Sequence, residues 1–336
     1  MNRVALIGCG AVAESGHLPA MLRHNAFAIA AVCDVREDRA RRLAQHAGGV
    51  PHYTDWRAML DGGRFDAAVL ALPPEASADV AIECLHRGLR ILDEKPLAST
   101  LEQGRRVARA VAETGGVFQL GFVLRYGEWI DEIARLARAI GGPLRTRVAI
   151  YDERLNPADP AHFERIAGFL RTSSAITHEG SHVVDYVMRW SPASWTHVRA
   201  TSQRTSSELP GPNVWHALLS QEDGSEVEID IGWLLPELPP CAVSIEGARG
   251  RVEFSPATGV GQWHIDDHHD VMTLAPMRAE WDRQYDAFAK AIAGGAATVA
   301  TVEDGLRALE ITSACEASAC RGAVVARAGE AELARK

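Results

Sequence analysis

Long hydrophobic runs, paired cysteines and an excess of positive charge are all missing from this 336-residue chain. No apolar stretch reaches the roughly 18–20 residues that a spanning helix needs, so no membrane partner is expected. Lys and Arg number 35 against 44 Asp and Glu, a formal net charge of -9. That balance offers no general attraction for nucleic acid or an anionic membrane. The six cysteines, Cys9, Cys33, Cys84, Cys241, Cys315 and Cys320, are scattered. None forms a C-x-x-C pair, which argues against a zinc ribbon or a disulfide framework, and a reducing cytoplasm is the expected setting. The opening "MNRVALIGCG" runs straight into a strand-like stretch, without the longer apolar core and cleavage site of a signal peptide. What is present, 47% hydrophobic and 24% charged residues, is ordinary globular material, and the length allows two domains.

The first third alternates. "RVALIGCG", "FAIAAVCD", "DAAVLALP", "RILDEKP" and "VFQLGF" are short apolar runs. Between them lie the helical patterns "AESGHLPAMLRH", "REDRARRLAQHAG", "EASADVAIECLHRG" and "LEQGRRVARAVAETGG". Apolar strands separated by helices imply a parallel sheet covered on both faces. Residues 1–121 are therefore expected to form a doubly wound α/β domain.

Gly8, Gly10 and Ala13 make G-x-G-x-x-A directly after the first strand. In that frame Gly8 permits the tight turn, Gly10 lets a pyrophosphate approach the backbone, and Ala13 lets helix and strand pack closely. The helix N-terminus then offers free N–H groups to the anion. Asp34 ends the second strand, about 20 residues on, where a carboxylate can hold the adenosine ribose hydroxyls. That favours NAD. Arg36 close by could meet a 2′-phosphate, which keeps NADP open. Cys9 in the loop needs only to be small, and His17 on the first helix is read as structural ahead of a ligand contact.

"LDEKPLA" ends another strand with Asp93, Glu94, Lys95 and Pro96. Ligands of open α/β sheets sit at the carboxyl ends of strands. A lysine there can stabilise an alkoxide; equally, Lys95 could be exposed with Pro96 at a helix start.

Residues 178–182 read "HEGSH" and fit H-E-x-x-H, the pattern of zinc peptidases. Gly180 interrupts the required helix, at a cost of about 1 kcal/mol against alanine. No third ligand follows at a familiar spacing, so no metal is expected.

Beyond residue 121 the pattern changes. "EWIDEIARLARAIGG" is an amphipathic helix. "RTRVAIY", "WTHVRATSQ", "VWHALLSQ", "SEVEIDIGWL", "AVSIEGA" and "GRVEFS" are strand-like. Val227, Ile229, Ile231 and Trp233 alternate with Glu228, Asp230 and Gly232, as in a sheet with one buried face. "WHIDDHHDVM" is read as a polar hairpin tip ahead of a metal site. "EWDRQYDAFAKAIAGG" and "VEDGLRALEITSACEASACRG" are expected helices, and the tail "AGEAELARK" is expected to be loose.

Together, the G-x-G-x-x-A start, Asp34, "EKPLA" and "GSHVVD" resemble the Gfo/Idh/MocA oxidoreductases, the glucose–fructose oxidoreductase and inositol dehydrogenase group. "GFVLRY" and "EDGLRALEI" extend the resemblance over essentially the whole chain. It implies an NAD(P)-binding Rossmann domain at 1–121. Residues 122–336 would then form an α+β domain with a large, open, mostly antiparallel sheet for substrate binding and oligomerisation, its final helices free to pack back on the first domain. It also implies hydride transfer between nicotinamide and a secondary alcohol of a sugar, cyclitol or related polyol. Lys95 matches the lysine of the family's E-K-P motif, and His182 the histidine of its G-x-H-x-x-D motif. These are the candidate catalytic residues. Cofactor contacts are expected from Gly8, Gly10, Ala11, Val12, Ala13, Asp34 and Arg36, and from Leu72, Pro73, Glu94 and Lys95. His178, Arg125 and Tyr126 are the candidate substrate contacts. The expected partners are a small polyol or sugar-like substrate and further copies of the chain, as a homodimer or homotetramer, with no nucleic acid.

Two departures from the family pattern stand out. Where it often shows T-P-N-x-x-H, this chain has "LPPEAS", with Ser77 at the histidine. Where most members carry an aspartate four residues before His182, this chain has His178, which points to a different substrate, pH dependence or proton relay. A cofactor-sensing regulator of the same fold, or an enzyme that oxidises its substrate only transiently, would share these residues.

Overall fold

The computed structural model describes residues 1–274, 279–295 and 297–327. The tail "AGEAELARK" lies outside the described residues. In chain order, β1 (Asn2–Ile7) leads through a π-helical turn at Ala13–His17 into α1 (Leu18–Arg23). There follow β2 (Phe27–Cys33), α2 (Glu37–His46), β3 (His52–Tyr53), α3 (Trp56–Gly62), β4 (Ala67–Leu70), α4 (Pro74–His86), β5 (Arg90–Glu94), α5 (Leu101–Thr114) and β6 (Phe118–Gly121). After a 3₁₀ turn at Val123–Tyr126 come α6 (Glu128–Ile140), β7 (Arg145–Asp152), α7 (Pro160–Thr172), α8 (Ala175–His178) and α9 (Gly180–Trp190). The chain continues through β8 (Trp195–Gln203), β9 (Val214–Gln221), β10 (Glu226–Trp233), β11 (Ala242–Gly247), β12 (Gly250–Ser255), β13 (Val260–Ile265) and β14 (His268–Thr273). It ends in α10 (Glu280–Ile292), α11 (Val302–Arg321) and β15 (Val325–Ala326).

Strands β1–β6 form one sheet in the order β3-β2-β1-β4-β5-β6, paired in parallel throughout. This is the doubly wound Rossmann order, whose reversal between β1 and β4 opens a ligand crevice at the strands' carboxyl ends. Val4–Ile7 and Ala67–Leu70 are buried, which is why those strands lack polar alternation. Pro19 has no N–H to give to the carbonyl of Ser15, and its ring crowds it. The first helix therefore opens as a π-turn before tightening into α1.

The second sheet has nine strands among the described residues, in the order β14-β13-β12-β11-β7-β10-β9-β8-β15. Its pairs are antiparallel except β7 with β10. Val227, Ile229, Ile231 and Trp233 are buried, as their alternation requires, and Ile130, Ile133 and Leu136 of α6 are fully covered. The polar stretch at 264–270 is the β13–β14 hairpin, with His264 opposite His269. The fold is α/β in its first sheet and mixed, mostly antiparallel, in its second.

The chain divides into two compact units: Met1–Tyr126 with Arg278–Leu309, and Gly127–Met277 with Glu310–Lys336. The later segment joins the first unit through a set of long-range bonds. Leu120 N–H donates to Ala300 O at 2.9 Å, and Gln119 Nε2 to Gln284 O at 3.0 Å. Phe27 stacks on Phe288 at 5.7 Å. All six cysteines are free. No helix among the described residues is long and apolar enough to cross a membrane.

Candidate active site

The glycine loop after β1 is built around two glycines with different reasons. Gly8 has φ +95°, and a Cβ there would lie 2.2 Å from the carbonyl oxygen of Ala71. Backbone meets backbone, so only glycine fits. A Cβ at Gly10 would meet nothing within 4 Å, which leaves the backbone open to a ligand. Asp34, just after β2, accepts the Cys9 N–H on Oδ2 at 2.8 Å and the Arg36 N–H on Oδ1 at 2.9 Å. Two amides thus fix the carboxylate beside the loop. Burial, reinforced by that carboxylate, pushes the Cys9 thiol up to about 12, so it stays an inert small side chain. Arg36 turns its guanidinium to Asp38 at 3.0 Å. Ala13 is buried, Ala11 and Val12 are exposed, and Leu72 and Pro73 lead from β4 into α4. The open Gly10 backbone and the pinned Asp34 fit a dinucleotide's pyrophosphate and ribose.

At the end of β5, Asp93 is fully buried, Glu94 is buried and Lys95 is half-buried, followed by a cis peptide to Pro96. Ser77 donates its hydroxyl to Asp93 Oδ1 at 2.5 Å. Burial drives the Asp93 carboxyl well above the usual range; the Ser77 bond opposes this and the Glu94 charge adds to it. Glu94 Oε1 lies 3.0 Å from Nε2 of His17, whose Nδ1 is 2.8 Å from the Tyr285 hydroxyl.

In the second unit, "HEGSH" spans α8, a break at Glu179 and the start of α9. The His178 carbonyl accepts the Ser181 hydroxyl at 3.0 Å, and the His182 N–H turns to Glu179 O at 3.0 Å. Gly180 sits in tight packing: a Cβ there would meet Ile176 at 3.0 Å and Ile231 of β10 at 3.2 Å. His182 is buried. The His178 ring lies 4.6 Å from Phe169 and 5.7 Å from Trp233, centroid to centroid. His178, Glu179 and His182 do not gather as a group of three metal-ligand atoms. Among the described residues that geometry occurs at His216, Glu228 and Asp230, where Arg147 donates to Asp230 at 3.0 Å. That cluster is an ion-pair network across the strands.

Residues 2–122 match the oxidoreductase family described by its NAD-binding Rossmann fold. The rhizopine catabolism protein MocA of Rhizobium meliloti is 27% identical over 319 residues, covering 93% of each chain. An inositol 2-dehydrogenase of Saccharopolyspora erythraea is 27% identical over 74% of this chain and 77% of its own. Residues 2–122 carry that family's Rossmann fold, and over most of its length the chain is similar to members of the Gfo/Idh/MocA group. A solved oxidoreductase from Agrobacterium radiobacter, in complex with NAD+, L-tartaric acid and magnesium, shares the fold with a TM-score of 0.86 at 18% identity, over 97% of this chain and 98% of that one.

Gly8, Gly10 and Asp34 lie together where β1 ends. Arg125 is buried and committed to the Val299 carbonyl and to Asp304 Oδ2, the latter at 2.7 Å. Tyr126 is half-buried, and its carbonyl accepts from Arg283 at 3.0 Å. These bonds tie the later segment to the first sheet. Ser77, at the family's usual histidine, serves Asp93 instead. Two groups escaped the sequence analysis. Asp93 could have been flagged as an acid inside an apolar strand, and Tyr285 carried no signal linking it to His17.

Proposed function

We propose that this Gfo/Idh/MocA chain is an NAD-dependent dehydrogenase or reductase acting on a secondary alcohol or ketone of a sugar, cyclitol or related polyol. The observation that carries the cofactor half is Asp34, held by two backbone amides beside the open Gly10 backbone. Commitment of Arg36 to Asp38 supports NAD over NADP. The substrate class rests on the relatives, one of them an inositol dehydrogenase. The nicotinamide supplies a hydride acceptor or donor. Lys95 is proposed to donate a hydrogen bond to the reacting oxygen and stabilise its negative charge, and His182 to take the hydroxyl proton as general base. His178, set against Phe169 and Trp233, would present one ring edge to a substrate hydroxyl with no fixed negative charge.

Spectrophotometric turnover with NAD and NADP against a panel of polyols and keto sugars tests this. Lys95→Met and His182→Ala should each lower kcat by about 10²–10⁴-fold while the NADH Kd stays near that of the wild type. A chain that binds neither dinucleotide, or unchanged turnover in both variants, would sink the assignment. Free NADH that never accumulates during turnover would favour transient oxidation.

The outer face of the nine-stranded sheet supports a homodimer or homotetramer as the finer reading of its partners. Arg145 and Arg147 on β7 stand beside Glu226, Glu228 and Asp230 on β10 there, a block of each sign that a second copy turned about a two-fold axis can complement. Size-exclusion with light scattering on the wild type and Arg147→Glu should show a shift to smaller species. A monomeric wild type would contradict it.

A further inference from the structure

We infer that His17 and Tyr285 are positioning residues for cofactor binding: a buried Tyr285–His17–Glu94 relay fixes the Glu94 carboxylate at the carboxyl end of β5 to accept a hydrogen bond from the bound dinucleotide. The inference rests on the dinucleotide reading above and adds two residues to it.

Three distant parts of the first unit meet here. His17 closes the π-helical turn forced by Pro19, Glu94 ends β5, and Tyr285 lies on α10. The His17 ring is 0% exposed, where an unsatisfied ring nitrogen would be costly. Both nitrogens are satisfied, Nδ1 by the Tyr285 hydroxyl at 2.8 Å and Nε2 by Glu94 Oε1 at 3.0 Å. Two glycines make the room. A Cβ at Gly16 would lie 2.4 Å from the Trp281 ring, which packs edge-on to His17 at 4.9 Å. A Cβ at Gly121 would lie 2.8 Å from Glu94 Oε1. Trp281 and Tyr285 are one helical turn apart, so α10 delivers both to the same imidazole.

The proton direction follows. Burial, with the Glu94 charge adding to it, raises the Tyr285 hydroxyl well above its ordinary value, so the O–H is retained. Among the described residues its acceptor is His17 Nδ1. The ring proton therefore sits on Nε2 and is donated to Glu94 Oε1. One tautomer holds one carboxylate rotamer, and Glu94 Oε2 receives no hydrogen bond from the described residues. It lies at the strand end where a dinucleotide binds in this sheet order, and a carboxylate there accepts a ribose hydroxyl or an amide N–H.

A double-mutant cycle on the NADH Kd, read by fluorescence titration, tests the relay in the full chain. His17→Leu should weaken NADH about tenfold, while kcat at saturating NADH changes less than about twofold. In a Glu94→Gln background the same substitution should add less than about twofold, because it acts through Glu94. His17→Gln, which can accept from Tyr285 and donate to Glu94, should restore the Kd to within about threefold of the wild type. Equal losses in both backgrounds, or a His17→Leu variant with wild-type affinity, would overturn the inference. If His17→Leu does not fold, Tyr285→Phe runs the same cycle: a loss confined to the Glu94 background supports the relay and equal losses overturn it. A wild type that binds no NADH fails differently, removing the dinucleotide reading and the relay with it.

Discussion

Arg125–Asp304 in the first unit and Arg147–Asp230 in the second are ion pairs of similar length, 2.7 Å and 3.0 Å, whose arginines lie in opposite surroundings. The Arg125 side chain is 5% exposed and that of Arg147 60%; the acids, Asp304 at 20% and Asp230 at 13%, are both mostly covered. Arg125 also donates to the Val299 carbonyl, joining segments 174 residues apart. Arg147 instead spans neighbouring strands whose register is already set by backbone pairing. The same chemistry therefore does different work. Inside the first unit, charged groups decide which distant segments belong together. On the outer sheet face they decorate a structure that hydrophobic alternation has already fixed.

The largest effect expected from breaking this comparison is at Arg125. Arg125→Met removes the nearest cation from Asp304, which keeps the Thr301 N–H at 3.0 Å and Arg307 at 3.6 Å, so the cost should fall at the lower end for a broken buried pair, about 3 kcal/mol. Urea unfolding should show the loss, and hydrogen exchange should show early opening around residues 299–304. A loss below about 1 kcal/mol would place Arg125 in the same class as Arg147.

The two loop glycines carry the comparison into one turn. Gly8→Ala forces a side chain onto the Ala71 carbonyl at a positive φ and should cost at least about 1–3 kcal/mol. Gly10→Ala enters open space, so its melting temperature should stay near that of the wild type while NADH binding weakens. Equal destabilisation by both would remove the distinction between a fold glycine and a ligand glycine.

What could be read from the sequence was local. "WTHVRATSQ" and "VWHALLSQ" coincide with β8 and β9, because strand alternation is written residue by residue. The parallel pairing of β7 with β10, about 80 residues apart in register, has no local signature. Helix α7 went unremarked, although Asp159 caps it and Pro160 opens it. Lys95 stands out in another way: it is one of three lysines, with Lys290 and Lys336, among 35 basic residues. Its place at a strand end is therefore not explained by general basic character. His17 looked unremarkable because its meaning depends on Tyr285, 268 residues later. The HEGSH histidines were easy to see, yet the packing of Gly180 between Ile176 and Ile231 on β10 is something no motif reveals.

A buried acid also differs from an exposed one in its response to pH. The folded Asp93 carboxyl titrates well above its ordinary value of 3.8 because burial disfavours its charge. As pH rises past 3.8, the unfolded chain releases this proton while the folded chain keeps it. Stability must then fall with pH until the folded carboxyl ionises, by about 1.4 kcal/mol for each unit of elevation. Asp93→Asn keeps the acceptor for Ser77 and removes the titration. Relative to the wild type it should gain in stability between pH 4.5 and 7.5, as read by urea midpoints. A difference that is the same at both values would mean that Asp93 ionises as freely folded as unfolded.

The smallest effect belongs to the outer face. Arg147→Met removes a guanidinium shared by Asp230 at 3.0 Å and Glu228 at 3.8 Å. Glu228 keeps solvent, and Asp230, whose side chain is mostly covered, keeps His216 at 2.8 Å. Exposed pairs of this kind contribute about 0–1 kcal/mol, and the methionine retains most of the stem that covers the strand. Monomer unfolding in urea should therefore move little, and less still in added salt, which already screens the wild-type pair. A loss of more than about 2 kcal/mol that vanishes on dilution is the outcome the homodimer reading above expects, with Arg147 buried between copies of the chain. The two ion pairs would then be alike, one closed by the first unit's own later segment and the other by a second molecule.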